Sequence, residues 1–327
     1  MGTNVLRFFF TILAALGLSA LPAFAQEDEI VANLAGGRVI ILVGDNGIAF
    51  GAIDHPLEAK SVPPRVATLD STHVGILFGA SEWQVPAQPK PIRLDRDIGD
   101  LRTATRDTYR PPGSGEADLE TIGVSFLERL RPLVSQLHHK IDLKPDEPLF
   151  QIVLIGYAPQ NYGAEVWLME YHVEQESVSA TGDFWQTHIL RPRFTQLYPP
   201  EKHQAKTIVE TRFPPNLQEV PLLGLIQQND PRIAKIRSSD PRMNKVLEHI
   251  ERGQLNKAQM EDAADFLRAA LPLLAGNAQF VEGELGETGG FRWIVPPQEP
   301  REKEKAKEDK DRPPDAPTLM RKPNPNR

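Results

Sequence analysis

Asp54 closes the apolar run GIAFGAI, residues 47 to 53, and a carboxylate at the end of a buried strand requires a partner. His55 follows it directly, so a carboxylate–imidazole relay is one chemistry these two residues could support; a solvated loop histidine is the alternative. Hydroxyls that could act as nucleophiles are Ser61, Thr72 and Ser81, all among turn residues, and Thr68, inside a strand-like run. The sequence places no base beside any of them. His138 and His139 raise the question of a metal. Neighbours on a helix point about 100° apart and do not share an ion, whereas histidines in a last helical turn complement its dipole. His73, His172 and His188 lie in strand-like runs without ligand spacing. The chain has no cysteine, which excludes a thiol nucleophile, a cysteine zinc site and an iron–sulfur cluster. It also lacks a P-loop, a dinucleotide fingerprint and a Gly-x-Ser-x-Gly elbow, so neither cofactor nor metal is expected.

The 327 residues are 40% apolar, enough to bury a sizeable core. A net charge of -7 argues against nucleic acid, which selects a basic stripe. Arg7, the apolar run from Phe8 to Leu21 and the small-x-small triplet Ala23-Phe24-Ala25 read as a secretory signal, residues 1–25. Cleavage there makes Gln26 the first residue and leaves no integral membrane segment. A cysteine-free exported chain fits a periplasmic or secreted bacterial protein.

The elements that must hold these residues follow from periodicity. RVIILV and GIAFGAI around Asp45-Asn46-Gly47 form a hairpin. RVATL and HVGILF, around residues 70–72, form a second, with Gly79-Ala80-Ser81 as the turn after it. Residues 86–116 lack periodicity. From Asp118 onward, Leu119, Ile122, Phe126, Leu130, Leu133 and Leu137 recur at helical spacing, with Pro132 set to kink or split the helix. LFQIVLIGYA and AEVWLMEYHVE are strands, and DFWQTHIL is another. Residues 198–253 read as Pro-punctuated short helices, with Asp230-Pro231 and Asp240-Pro241 as cap and first turn. A helix runs from Asn256 to Leu274, and GGFRWIV closes the fold. The tail from Pro296 combines eight prolines with mixed charge, too polar to bury, and is expected to be disordered. Antiparallel strands with helices between them indicate an α+β sandwich.

In this order the segments GGRVIILVGDNGIAFGAID, PPRVATLDSTHVGILFGAS, FQIVLIGYAPQNYGAEVWLMEYHVE, MEDAADFLRAALPLLAG and GGFRWIV resemble the proteasome β-subunit and its bacterial relatives, the N-terminal-nucleophile hydrolases. The resemblance covers residues 36–295, within a domain taken as 26–295. It sets apart 183–250 as a large insertion and 93–117 as a smaller one. It implies a four-layer αββα sandwich and assembly into a ring or other homo-oligomer.

The family's chemistry needs a threonine freed by cleavage after glycine, its α-amino group as base, and a nearby lysine and aspartate. Asp54 matches the aspartate, and sixteen residues before it, directly after Gly37, stands Arg38 in place of the nucleophile. Arg65 falls at the lysine position. A guanidinium is always protonated and does not attack a carbonyl. The resemblance therefore implies a vestigial site of Arg38, Asp54 and Arg65, with Asp54 ion-paired to one or both arginines. Such a cluster either holds geometry alone or binds an anionic group such as a peptide carboxylate. The expected function is a non-catalytic binding, scaffold or assembly subunit with peptide or protein partners. The rivals are a hydrolase with another nucleophile and an inactive member of a mixed ring.

Overall fold

Strand β2 (Gly37–Val43) is apolar on both parities because both its faces are covered. Val39, Ile41 and Val43 enter a core between two sheets, and Ile40 and Leu42 enter a second core beneath helices. The computed structural model describes residues 30–55, 65–69, 72–86, 88, 90–95, 119–144, 146–157, 163–182, 184–200, 208–287 and 290–297. The signal-like segment, Gln26, Ser61, most of the 93–117 stretch and nearly all of the tail lie outside these residues.

One sheet has five antiparallel strands in the order β12 (Ile208–Phe213), β2, β3 (Gly47–Asp54), β13 (Phe280–Gly286) and β14 (Gly290–Val295). The other is built on β5 (His73–Gln84), flanked by β1 (Val31–Ala35) and by β7 (Phe150–Tyr157), β8 (Ala164–Tyr171) and β11 (Arg193–Tyr198). Two short strands, β4 (Arg65–Thr68) and β6 (Ile92–Arg93), also pair with β5. A separate ribbon joins β9 (Val173–Ser177) to β10 (Trp185–Ile189).

Three apolar clusters define four layers. Helix α1 (Leu119–Val134) packs Phe126 and Leu130 on the outer face of the β5 sheet, against Leu77, Phe150 and Ile152. The two sheets meet face to face through Ile41, Phe50, Ile76, Phe78 and Val153. The outer face of the β2 sheet is covered by α2 (Leu222–Gln227), α3 (Pro231–Ser239), α4 (Pro241–Glu251) and α5 (Met260–Ala275). The protein is an α+β sandwich of two antiparallel sheets with helices outside.

Asp230 and Asp240 cap α3 and α4, each accepting from the backbone N–H two residues on, with Pro at the first helical position. The stretch 183–250 supplies β10 and β11 on one side, and β12 with α2, α3 and most of α4 on the other.

Several expectations need correction. Gly79-Ala80-Ser81 is not a turn. Strand β5 runs through it to Gln84, and Gly79 takes φ +71°, with Ala80 donating to the Leu149 carbonyl at 2.9 Å. A Cβ at Gly79 would lie 2.4 Å from that carbonyl oxygen, so only glycine allows this bend. The last long helix starts at Met260, not Asn256, which sits in a 3-10 turn. Its first N–H is capped by the Asn46 side chain at 2.9 Å, from the β2–β3 turn. Helix α1 ends at Val134, two residues past Pro132, so His138 and His139 lie beyond it; His138 stacks on Phe184 with ring centroids 4.4 Å apart. Strands β1, β6, β11, β12 and β13 have no counterpart in the periodicity reading.

Candidate functional site

Arg38 is the second residue of β2, opposite Ile53 on β3 and Arg212 on β12. Its side chain has the parity of Ile40 and Leu42 and faces the helical layer, where it is 7% exposed. There Nε lies 3.0 Å from Glu219 Oε2, and an Nη donates to the Val220 carbonyl at 3.3 Å. The Arg38 Nε–H does not point at the carboxylate, so the contact is an ion pair rather than an aligned hydrogen bond. Glu219 also approaches His55, with Nδ1 at 3.6 Å, and sits on a segment tied down by Arg212, which donates to the Leu217 and Glu219 carbonyls. Glu210 closes the cluster. Burial raises its pKa, against backbone N–H bonds from Leu222 and Leu223 and the charges of Arg38 and Arg212. The cavity lined by Arg38, Glu210, Arg212 and Glu219 has a volume of about 30 Å³, room for a water or two.

Asp54 ends β3 opposite Gly37. It has the parity of Ile48, Phe50 and Ala52 and so faces the gap between the sheets. Its Oδ1 is buried without a hydrogen-bond partner, and burial raises its pKa against the opposing charges of His55 and Arg65. Among the described residues it makes no ion pair with either arginine.

Arg65 opens β4 opposite Leu77 and faces the α1 side of the other sheet. It pairs with Glu82 at 2.9 Å, and Asn33 donates to the other oxygen of Glu82 at 3.2 Å. Burial and the nearby Arg93 lower the Arg65 pKa, while Asp95 and Glu82 oppose the shift.

The expected Asp54–arginine pair is therefore not formed. Arg38, Asp54 and Arg65 point into three different layers. The reason is register: residue 37, not 38, stands across from Asp54, and adjacent positions on a strand face opposite sides. His55, read as a solvated loop histidine or as a relay with Asp54, is partly exposed and lies beside Glu219.

A second constellation lies on the α1 face of the β5 sheet. Thr72 Oγ1 is 3.1 Å from His73 Nδ1, and His73 Nε2 is 3.1 Å from Glu165 Oε1. The Trp167 indole N–H donates to Glu165 Oε2 at 2.9 Å. His73 is 3% exposed and packs against Gly156, where a Cβ would come within 2.1 Å of the ring. Residues 165 and 167 both lie on an alternating strand, but nothing in the sequence sets Glu165 beside His73, which is three strands and 92 residues away. Glu219 was equally hidden, in a Pro-rich stretch without periodicity. Ser81 sits inside β5 with a buried hydroxyl, and Thr68 ends β4.

Two further acids are buried on β13. Glu282 is fully buried beneath α5 with neither oxygen hydrogen-bonded, and burial raises its pKa to about 7. Glu284 pairs with Arg292 across β14. Among the described residues no group of three His, Asp or Glu side chains is placed to hold a metal ion, and no helix is long and apolar enough to cross a membrane.

Neither a scan of protein-family models nor a search of curated proteins finds a match to this chain.

Proposed function

We propose that this chain is an exported, proteasome-like protein that works as a non-catalytic binding, scaffold or assembly subunit in the periplasm or secreted space. The observation that carries the reading is the burial of Arg38 against Glu219, at the position where the resembling family holds its nucleophile. A guanidinium cannot attack. The cavity beside it is small, about 30 Å³, and Asp54 faces the other side of the sheet. The partners proposed are copies of the chain itself, as a homo-oligomer or ring, or a peptide or protein.

The test is exposure of the purified protein to a hydroxyl-directed electrophile, followed by intact mass and native mass. The expected result is no adduct and a defined oligomer. Recovery with a related chain that keeps Gly-Thr at the matching position would instead assign it to a mixed ring.

One observation favours a second reading, a threonine-type peptide or amide hydrolase: the Thr72–His73–Glu165 relay has nucleophile–base–acid order within hydrogen-bond reach. The first reading is preferred because Thr72 and His73 are chain neighbours, a contact any such pair makes at a bend. An adduct that maps to Thr72, and disappears in Thr72→Ala, would reverse that preference.

A further inference from the structure

On the outer face of the β5 sheet, away from Arg38, the flank of α1 and the start of β11 leave a cleft of about 670 Å³. That is within the usual size of a small-molecule site, roughly 300–1,000 Å³. Its apolar wall includes Val124 and Leu127 of α1, Trp167 of β8 and Phe194 of β11. Val124 and Phe194 are two of the six exposed large apolar side chains among the described residues, and both line this one cleft. Exposed apolar residues normally scatter singly, so their convergence marks a surface meant to be covered.

The wall is built by a close approach. Gly123 has no side chain, and a Cβ there would stand 2.8 Å from Phe194 Cζ. The same residue's carbonyl accepts from the buried Tyr171 hydroxyl at 2.9 Å, which fixes α1 on the sheet. The Trp167 N–H is already committed to Glu165, so the indole offers the cleft apolar surface.

Charge defines the other half of the site. Arg131, in the last turn of α1, and Arg191 line the cleft, and neither has an ion-pair partner among the described residues. Glu128 lines it too. Two guanidiniums against one carboxylate leave one positive charge. Planar guanidinium donors match a carboxylate bidentately.

We propose that this cleft binds an amphipathic carboxylate, an acid group held by Arg131 and Arg191 with an unbranched hydrocarbon chain along Val124, Leu127, Trp167 and Phe194. The proposal does not rest on the reading of Arg38, and stands or falls separately from it.

The experiment titrates dodecanoate, below its micelle concentration, into the full chain, read by calorimetry and by Trp fluorescence. The expected result is saturable 1:1 binding with Kd on the order of 10 µM, from ten or so buried methylenes less the cost of association. The double variant Arg131→Glu/Arg191→Glu should weaken dodecanoate about 30-fold or more while changing neutral dodecanol by less than about threefold. Both arginines are solvent-facing, so folding is preserved, and circular dichroism checks it. Phe194→Glu should weaken both ligands. No saturable binding, or equal loss of acid and alcohol in the arginine variant, would overturn the proposal. Binding only by a variant lacking residues 96–118 would assign the cleft to that segment of the chain and would overturn it too.

Discussion

At position 38 the charge is held by what surrounds it, and its removal exposes the other partner. Arg38→Met leaves Glu219 beside Glu210 without its guanidinium, and should cost about 1–3 kcal/mol in urea unfolding. Arg38→Met with Glu219→Leu should cost less than the sum of the two single changes, because the double variant leaves no orphaned charge. Glu282 makes a second prediction at this scale. Its folded pKa, about 7, lies above the ordinary 4.5, so the folded state holds the proton more tightly than the unfolded chain. That contribution to stability is complete below about pH 4.5 and is lost as pH rises through 7. Glu282→Gln should match the parent at pH 4–5 and exceed it by about 1–2 kcal/mol at pH 8, measured by denaturant titration across that range. Part of the residue-level picture was legible. A four-residue turn at 44–47 already sets Gly37 across from Asp54, so the opposite facing of Arg38 and Asp54 follows from the sequence once register is drawn. Counting sixteen residues along the chain gave separation and ignored facing. Glu219 and Glu165 were not legible, because each is brought to its partner by pairing between distant strands or by a loop without periodicity.

At the scale of elements, the glycines separate backbone from side-chain constraint. Gly79→Ala meets a backbone carbonyl at 2.4 Å with φ +71°, and should destabilise by about 2–3 kcal/mol. Gly123→Ala meets side chains and no backbone, the exposed Phe194 ring tip at 2.8 Å and Pro192 Cγ at 3.3 Å, which can give way, and should cost under about 1 kcal/mol while narrowing the cleft. Equilibrium unfolding of the two variants side by side checks the contrast. The elements read correctly from sequence were those marked by apolar runs or helical periodicity: the two hairpins, β7, β8, β10, β14, α1 and the body of α5. Strand β13 was missed because Glu282 and Glu284 interrupt FVEGELG, although both acids are buried in the sheet. Strand β11 was missed because it lies at a sheet edge with most of its side chains exposed, so no alternation marks it. The start of α5 was misplaced because its cap, Asn46, lies 214 residues earlier.

For the whole molecule, the layers decide which parts can be removed. β12 pairs along β2, and α2 to α4 cover Ile40 and Leu42, so the stretch 183–250 is part of both sheets' closure. Its deletion should abolish cooperative unfolding. Truncation after Val295, where the described compact unit ends, should leave the melting temperature within about 2 °C of the parent. The four-layer arrangement was legible as a resemblance, and the facing of each core residue then follows from strand parity. Arg38 is buried against Glu219, so the Gly37–Arg38 bond should stay intact. The most direct test is intact mass and N-terminal sequencing of the protein recovered from its native host. The expected result is an uncut Gly37–Arg38 bond and a single start at Gln26. A mature chain beginning on a serine or threonine beyond residue 30 would mean self-processing to a hydroxyl nucleophile, and would contradict it.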